Sequence, residues 1–301
     1  MKSNYYFLYA SLPDISFNEK KDYRELAYLF NEVIDSLSDE DRLAVRYIRY
    51  PIDNSNLMIL LEGESNPEEK FQPWGNYTLD ELKYEIKSRD TIPAYMSRFI
   101  EYYHKLLVEF SGTSYIDLLN EYFMKEIFLL NDHKANSFFN YDQPGFDCHF
   151  IKRWFVFDRD FKNVLTAIEC MKHDEPVERR ESVRVDQRPG QRLSGDYEVS
   201  DLLLKSKSYD FSLSGTFSWM TKVLNLNSKN IYDYEKEIIL MKLEMLDELA
   251  GDENFSLSTL LAYLIKLQLL IRWSSLDETA GKKFIDHISQ KVKNYAYENN
   301  R

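Results

Sequence analysis

Between Asp22 and Leu37 the apolar positions are Tyr23, Leu26, Ala27, Phe30, Val33, Ile34 and Leu37, the 3-4-3 rhythm of an amphipathic helix. Similar spacing recurs along most of the chain. Residues 4–12 (NYYFLYASL) are too short for periodicity to separate helix from strand, and the helical remainder favours a helix. Ser38 and Asp41 make a capping-box pattern, with Asp in place of Glu, that opens a helix through Tyr47. Pro51 is expected to break this helix, and Asp53 to start the next one. A loop with Pro67 and Pro73 follows from Gly63 to Gly75. Thr78 with Glu81 is a cleaner capping box for a helix through Lys87, and Pro93 suits the first turn of a helix to about Phe110.

After Ser111-Gly112, Ser114 with Asp117 repeats the cap pattern ahead of an apolar run to Leu130. Asn140 to Gly145 is a turn-rich break. A long helix is expected from about Cys148 to His173, kinked near Asp158. Residues 174–198 are polar, hold two Pro and two Gly, and read as an exposed loop. Further helices are expected at Ile231–Ala250, with Gly251 as its stop, at Leu257–Trp273 and at Glu278–Tyr297. The predicted fold class is all-α.

Composition agrees with that reading. Of 301 residues, 44% are hydrophobic and 15% aromatic, which excludes a disordered chain and allows one large domain or two to three small ones. Only 9 Gly and 8 Pro leave few tight turns, favouring helices over a sandwich or barrel. A net charge of −12 argues against nonspecific nucleic-acid binding and fits a protein that docks on a basic partner. Cys148 and Cys170 form no C-x-x-C pair, which points to a reducing cytoplasm. The N-terminus lacks a signal-peptide pattern. The most apolar stretch, Leu257–Trp273, is interrupted by Lys266, Gln268 and Arg272 and is short for a bilayer, so it reads as a buried helix.

One motif occurs twice. Asp53-Asn54-Ser55-Asn56-Leu57 and Asp160-Phe161-Lys162-Asn163-Val164 both read Asp-x-x-Asn-apolar, offset by 160 − 53 = 107 residues. An Asp ahead of an apolar run is a favourable N-cap, and an Asn three residues on can clip a neighbouring segment. The pair is therefore expected to mark two helix starts of a duplicated body and no catalytic centre. Asn227-Ser228-Lys229-Asn230-Ile231 is a weaker third echo.

The Asp-x-x-Asn-Leu pattern resembles the C-type subunit of A/V-type ATPases, the counterpart of the d-type subunit in the vacuolar enzyme. The segments YYFLYASLPDIS, FVFDRDFKNVLTAIECMK and LLAYLIKLQLLIRW look like an uncharacterised family found in bacterial V-type ATPase operons. The resemblance implies an elongated or funnel-like helical body built from duplicated units. Its expected divisions are 1–110, 111–198 with an exposed Arg-rich end, and 199–301. It implies a non-catalytic part with no cofactor that couples the central stalk to the membrane rotor ring. Its place would be the cytoplasmic face of the membrane, with no small-molecule substrate.

Arg179, Arg180, Arg184, Arg188 and Arg192 crowd the polar loop. Guanidinium groups bind carboxylates and phosphates bidentately, so the loop is a candidate contact for an acidic partner or lipid headgroups. The plainer reading, and the favoured one, is a solvated flexible loop whose charge is offset by Glu175, Glu178, Glu181 and Asp186. His173-Asp174 superficially resembles a metal phosphohydrolase pair, but His104, His133, His149 and His287 have no supporting spacing. Cys148-His149 are adjacent, which points their side chains apart in a regular element. No P-loop or G-x-G-x-x-G occurs. A generic helical scaffold and a helical metal-dependent hydrolase are the alternative readings.

Overall fold

Local capping chemistry sets several helix limits. In a computed structural model of the protein, residues 5–109, 115–129, 149–172, 178–179, 192–193, 198–226, 231–251 and 255–276 are described. They form α1 (Tyr6–Ser11), a 3-10 turn (Tyr23–Leu26), α2 (Leu29–Ser36), α3 (Asp39–Leu61), α4 (Pro67–Lys70) and α5 (Leu79–Ser88). Next come α6 (Ala94–Glu109), α7 (Tyr115–Leu129), α8 (His149–Lys172), α9 (Glu198–Lys205), α10 (Met220–Leu224), α11 (Ile231–Ala250) and α12 (Leu257–Ser274). The regular elements among the described residues are helical apart from β1 (Glu178–Arg179) and β2 (Arg192–Leu193), which pair in parallel.

The Ser38 hydroxyl accepts the Asp41 amide, and Thr78 and Glu81 complete a reciprocal capping box. Gly251, with φ of 70°, stops α11 as expected. The helix expected over Asp22–Leu37 is divided, with the 3-10 turn separated from α2. The helix expected over Glu278–Tyr297 lies outside the described residues.

The main correction concerns α3. Pro51 does not end it; the helix continues through the ring to Leu61. A proline inside a helix costs about 3 kcal/mol, since it removes one hydrogen bond and crowds the preceding turn. Here large apolar side chains are buried on both sides: Tyr47, Ile48 and Tyr50 before the ring, Leu57 and Met58 after it. Each contributes about 1.5–3 kcal/mol relative to exposure, so packing outweighs the local penalty. The helix ends at Gly63 in a Schellman arrangement. Gly63 N–H donates to Leu60 O and Glu64 N–H to Ile59 O, with a positive φ that glycine tolerates.

The chain divides into two compact units, residues 1–33 with 226–301, and residues 34–225. The divisions expected after residues 110 and 198 both fall inside the second unit.

In the first unit the N-terminal segment meets the C-terminal helices. α12 is buried around most of its circumference, through Leu260, Leu261, Leu264, Leu267, Leu270 and Ile271. α11 packs along it with Ile239 and Leu246. Several hydrogen bonds tie the N-terminal segment to this region, Lys236 to Glu19 and Ser274 Oγ to Lys21 O among them. Tyr5 N–H donates to Phe255 O (3.0 Å), Tyr263 O–H donates to Pro13 O (2.9 Å), and Tyr23 N–H donates to Ser274 Oγ (3.0 Å).

In the second unit α3 packs against α4, α5, α7 and α8. An aromatic chain runs through its core. Tyr50 meets Tyr95 and Phe123 edge-on, Phe123 meets Phe155, and Trp219 covers Phe157 and Phe161 of α8.

Candidate functional site

The motif Asp53–Asn56 sits in the middle of α3, not at its start, which corrects the expected helix cap. Asp53, Asn54 and Asn56 are all fully buried. Buried polar groups need partners, and these find theirs on other segments.

Arg49, Asp53 and Asn56 lie at i, i+4 and i+7, one face of the helix, and together they grip the loop at residues 72–77. Asn56 acts in both directions on one residue: its Nδ2 donates to Gln72 O and its Oδ1 accepts from Gln72 N–H, each at 2.8 Å. Arg49 Nε donates to Trp74 O (2.8 Å), and its Nη2 donates to Gly75 O. Asp53 Oδ1 accepts the Asn76 amide at 2.7 Å and the Tyr77 amide at 3.4 Å, while Oδ2 accepts Asn76 Nδ2 at 2.6 Å. Three side chains of one helix thus satisfy backbone groups of five loop residues.

Asn54 points elsewhere and ties α3 to two more helices. Its Oδ1 accepts Tyr95 O–H of α6 (2.8 Å), and its Nδ2 donates to Asn120 Oδ1 of α7 (2.9 Å).

The electrostatics follow from burial. Desolvation pushes the Asp53 carboxyl up to about 7, against the pull of Asn76, Arg49 and the Tyr77 amide. Burial also lowers the Arg49 guanidinium, with Asp53 opposing.

The second copy keeps the burial and changes the partner. Asp160 and Asn163 are buried in the interior of α8. Asp160 Oδ1 accepts from the adjacent Arg159 through Nε (2.9 Å) and Nη2 (2.7 Å), a pair with side-chain exposures of only 9% and 5%. Burial pushes the Asp160 carboxyl up, and Arg159 pulls it down.

The 107-residue offset extends well beyond the motif. Tyr47 and Trp154, Ile48 and Phe155, Tyr50 and Phe157, and Leu57 and Val164 are each separated by 107 residues, and all eight are buried. Two long helices therefore place aromatic, apolar and polar core positions in one register.

The model of the family described as "Protein of unknown function (DUF2764)" matches residues 1–294. The chain belongs to the DUF2764 family. No curated protein and no solved structure matches it.

In this DUF2764 chain the arginine cluster is only partly described. Arg179 lies in β1 and Arg192 in β2, while Arg180, Arg184 and Arg188 lie outside the described residues. β2 runs beside α8. The third echo at Asn227 and Asn230 also lies outside them, and Ile231 opens α11. So do Cys148, His133, His173 and His287. Cys170 is buried in α8. Among the described residues, no three His, Cys, Asp or Glu side chains converge as a metal-ligand set. No described helix is long and apolar enough to cross a membrane.

Sequence reasoning missed Arg49 and Gly75 as parts of the clip, and Asn54 as the tie to α6 and α7. The i, i+4, i+7 spacing of Arg49, Asp53 and Asn56 was the available signal. It becomes visible only when the helix is allowed to continue through Pro51.

Proposed function

We propose that the protein is a non-catalytic helical component of a V/A-type rotary ATPase, similar to the C-type or vacuolar d-type subunit, that couples the central stalk to the membrane rotor ring. The observation that carries this reading is the shared register of α3 and α8 at a 107-residue offset, each with an Asp and an Asn buried in its interior. Such a register is what duplication of a helical unit leaves behind, and duplicated helical units are what the sequence resemblance implies.

The mechanism is mechanical. Torque is transmitted without loss only by a body whose parts do not slide on one another. Close-packed interiors resist deformation. Buried polar clips add direction, since sliding the 72–77 loop along α3 breaks hydrogen bonds at Asn56, Arg49 and Asp53 together. The Arg-rich segment at 179–192 supplies a candidate contact for an acidic shaft component or for headgroups around the ring. The protein would then work as a peripheral component on the cytoplasmic face of the membrane.

The test is a pull-down with the isolated ring and shaft components. The expected result is co-purification with both, weakened by Arg-to-Ser replacement across 179–192 and by added salt. If stalk and ring assemble equally well without this chain, the reading fails, and a scaffold with an unrelated partner takes its place.

A further inference from the structure

A second polar feature of the 34–225 unit adjoins the clip: the Arg46 side chain is hydrogen-bonded to Tyr77 and lies within the field of Asp53. A cavity of about 410 Å³ opens beside α3, between the end of α5 and the start of α6. Two cations line it from different elements: Arg46 on the exposed side of α3, and Arg89 just past the end of α5. Thr91 and Ser97 line it as well, with Tyr47 and Tyr50 among its apolar members.

Several observations give this cavity one chemical character. The Arg89 side chain is exposed, in a chain of net charge −12. Arg89 itself adopts a left-handed backbone (φ 59°), a conformation L-residues seldom take. The surroundings hold it there: Arg89 N–H donates to Glu85 O (2.9 Å), and the Glu85 carboxylate accepts Thr91 N–H (3.0 Å) and Thr91 Oγ1–H (2.8 Å). The buried Glu85 carboxylate is thereby engaged with the connecting loop. The exposed acid beside Arg89 is Asp90. At the start of α6, Ser97 N–H donates to Pro93 O (3.0 Å). The amides of Ala94, Tyr95 and Met96 precede that bond at the helix start, where a negative charge is favoured.

Arg46, Arg89, Ser97 and the first residue of α6, Ala94, line one space. A planar carboxylate is satisfied by one guanidinium fork. A tetrahedral phosphoryl group, with three oxygens pointing apart, uses donors from several directions. We infer that the Arg46–Arg89 cavity binds a phosphoryl group, with Tyr47 and Tyr50 accommodating the apolar body attached to it.

That group can belong to a free phosphate ester or to an anionic lipid headgroup, and the experiment separates the two. The first arm titrates the full chain with inorganic phosphate and glycerol 3-phosphate, following Arg Nε–H and backbone amide signals by NMR at constant ionic strength. The second measures co-sedimentation with phosphatidylglycerol vesicles against phosphatidylcholine vesicles. A free-ester site gives saturable shifts at Arg46, Arg89 and Ala94–Met96 and no vesicle binding. A headgroup site gives phosphatidylglycerol binding as well. In either case R89Q, on an exposed side chain, weakens binding about tenfold or more, and R46Q with R89Q abolishes it. R46K keeps the charge and part of the affinity, which separates binding from any loss of folding. Absence of saturable shifts at these positions up to about 10 mM ligand, a concentration that would reveal even weak binding, together with vesicle binding unaffected by R89Q, overturns the assignment.

Discussion

A Cβ on Gly75 would stand 2.3 Å from Oδ1 of Asp53. The loop can approach the helix closely enough for the Asn76 amide to reach that carboxylate only because residue 75 has no side chain. Gly75→Ala is therefore expected to destabilise the 34–225 unit by about 1–3 kcal/mol, the range for overpacking a fixed interior. Gly215→Ala, where a Cβ meets nothing within 4 Å, is the control and should change stability by less than about 0.5 kcal/mol. Urea unfolding of both variants checks the contrast.

Asp53 makes stability depend on pH in an uncommon direction. Its carboxyl is pushed up by burial to about 7 in the folded chain. Between the ordinary carboxyl range near 4 and about 7, the folded state holds a proton that the unfolded state has released. The Asp53 contribution therefore falls as pH rises through this window, by up to about 1.4 kcal/mol per pH unit, and levels off above it. The difference in unfolding free energy between wild type and Asp53→Asn, measured from about pH 4 to about pH 8, should follow that curve. A difference independent of pH would refute the assignment to Asp53.

Asn56 satisfies both backbone groups of Gln72. Asn56→Ala strands a donor and an acceptor, each costing about 1–3 kcal/mol where water cannot reach. Native-state hydrogen exchange should show the Gln72 amide exchanging much faster in the variant, while amides of α12 in the other unit stay protected.

Pro51 lies inside α3 and supplies no amide. Pro51→Ala restores an amide and removes ring crowding, so stability should rise by about 1–3 kcal/mol, less the smaller entropy advantage proline has in the unfolded chain. A lowered thermal midpoint would mean that the ring packs better than its local penalty implies.

The Arg159–Asp160 pair is almost fully buried. Arg159→Met leaves a buried carboxylate without its cation, an effect of about 3–5 kcal/mol, whereas removing both charges with Arg159→Met and Asp160→Leu should recover much of that loss. A double-mutant cycle by chemical denaturation measures the coupling.

Much of the helical outline was legible in the chain. Ser38, Thr78 with Glu81, and Gly251 act through neighbours a few residues away, so their pattern carries their meaning. The polar clip was legible only as a repeated pair of residues. Its partners Gln72, Trp74, Gly75 and Asn76 lie 16 or more residues from the side chains that hold them, and no local rule links them.

The chain's own pattern was enough for the all-helical character, the caps, and the all-round apolar nature of α12, because each rests on propensity and periodicity within one segment. Long-range packing was needed to decide that α3 survives Pro51 and that Asp53 lies in a helix interior as a clamp rather than at a start as a cap. It also decided that residues 1–33 belong to one unit with residues 226–301. The physical reason is the same in each case. A local penalty of a few kcal/mol is outweighed by burial and hydrogen bonding that exist only once distant segments have come together.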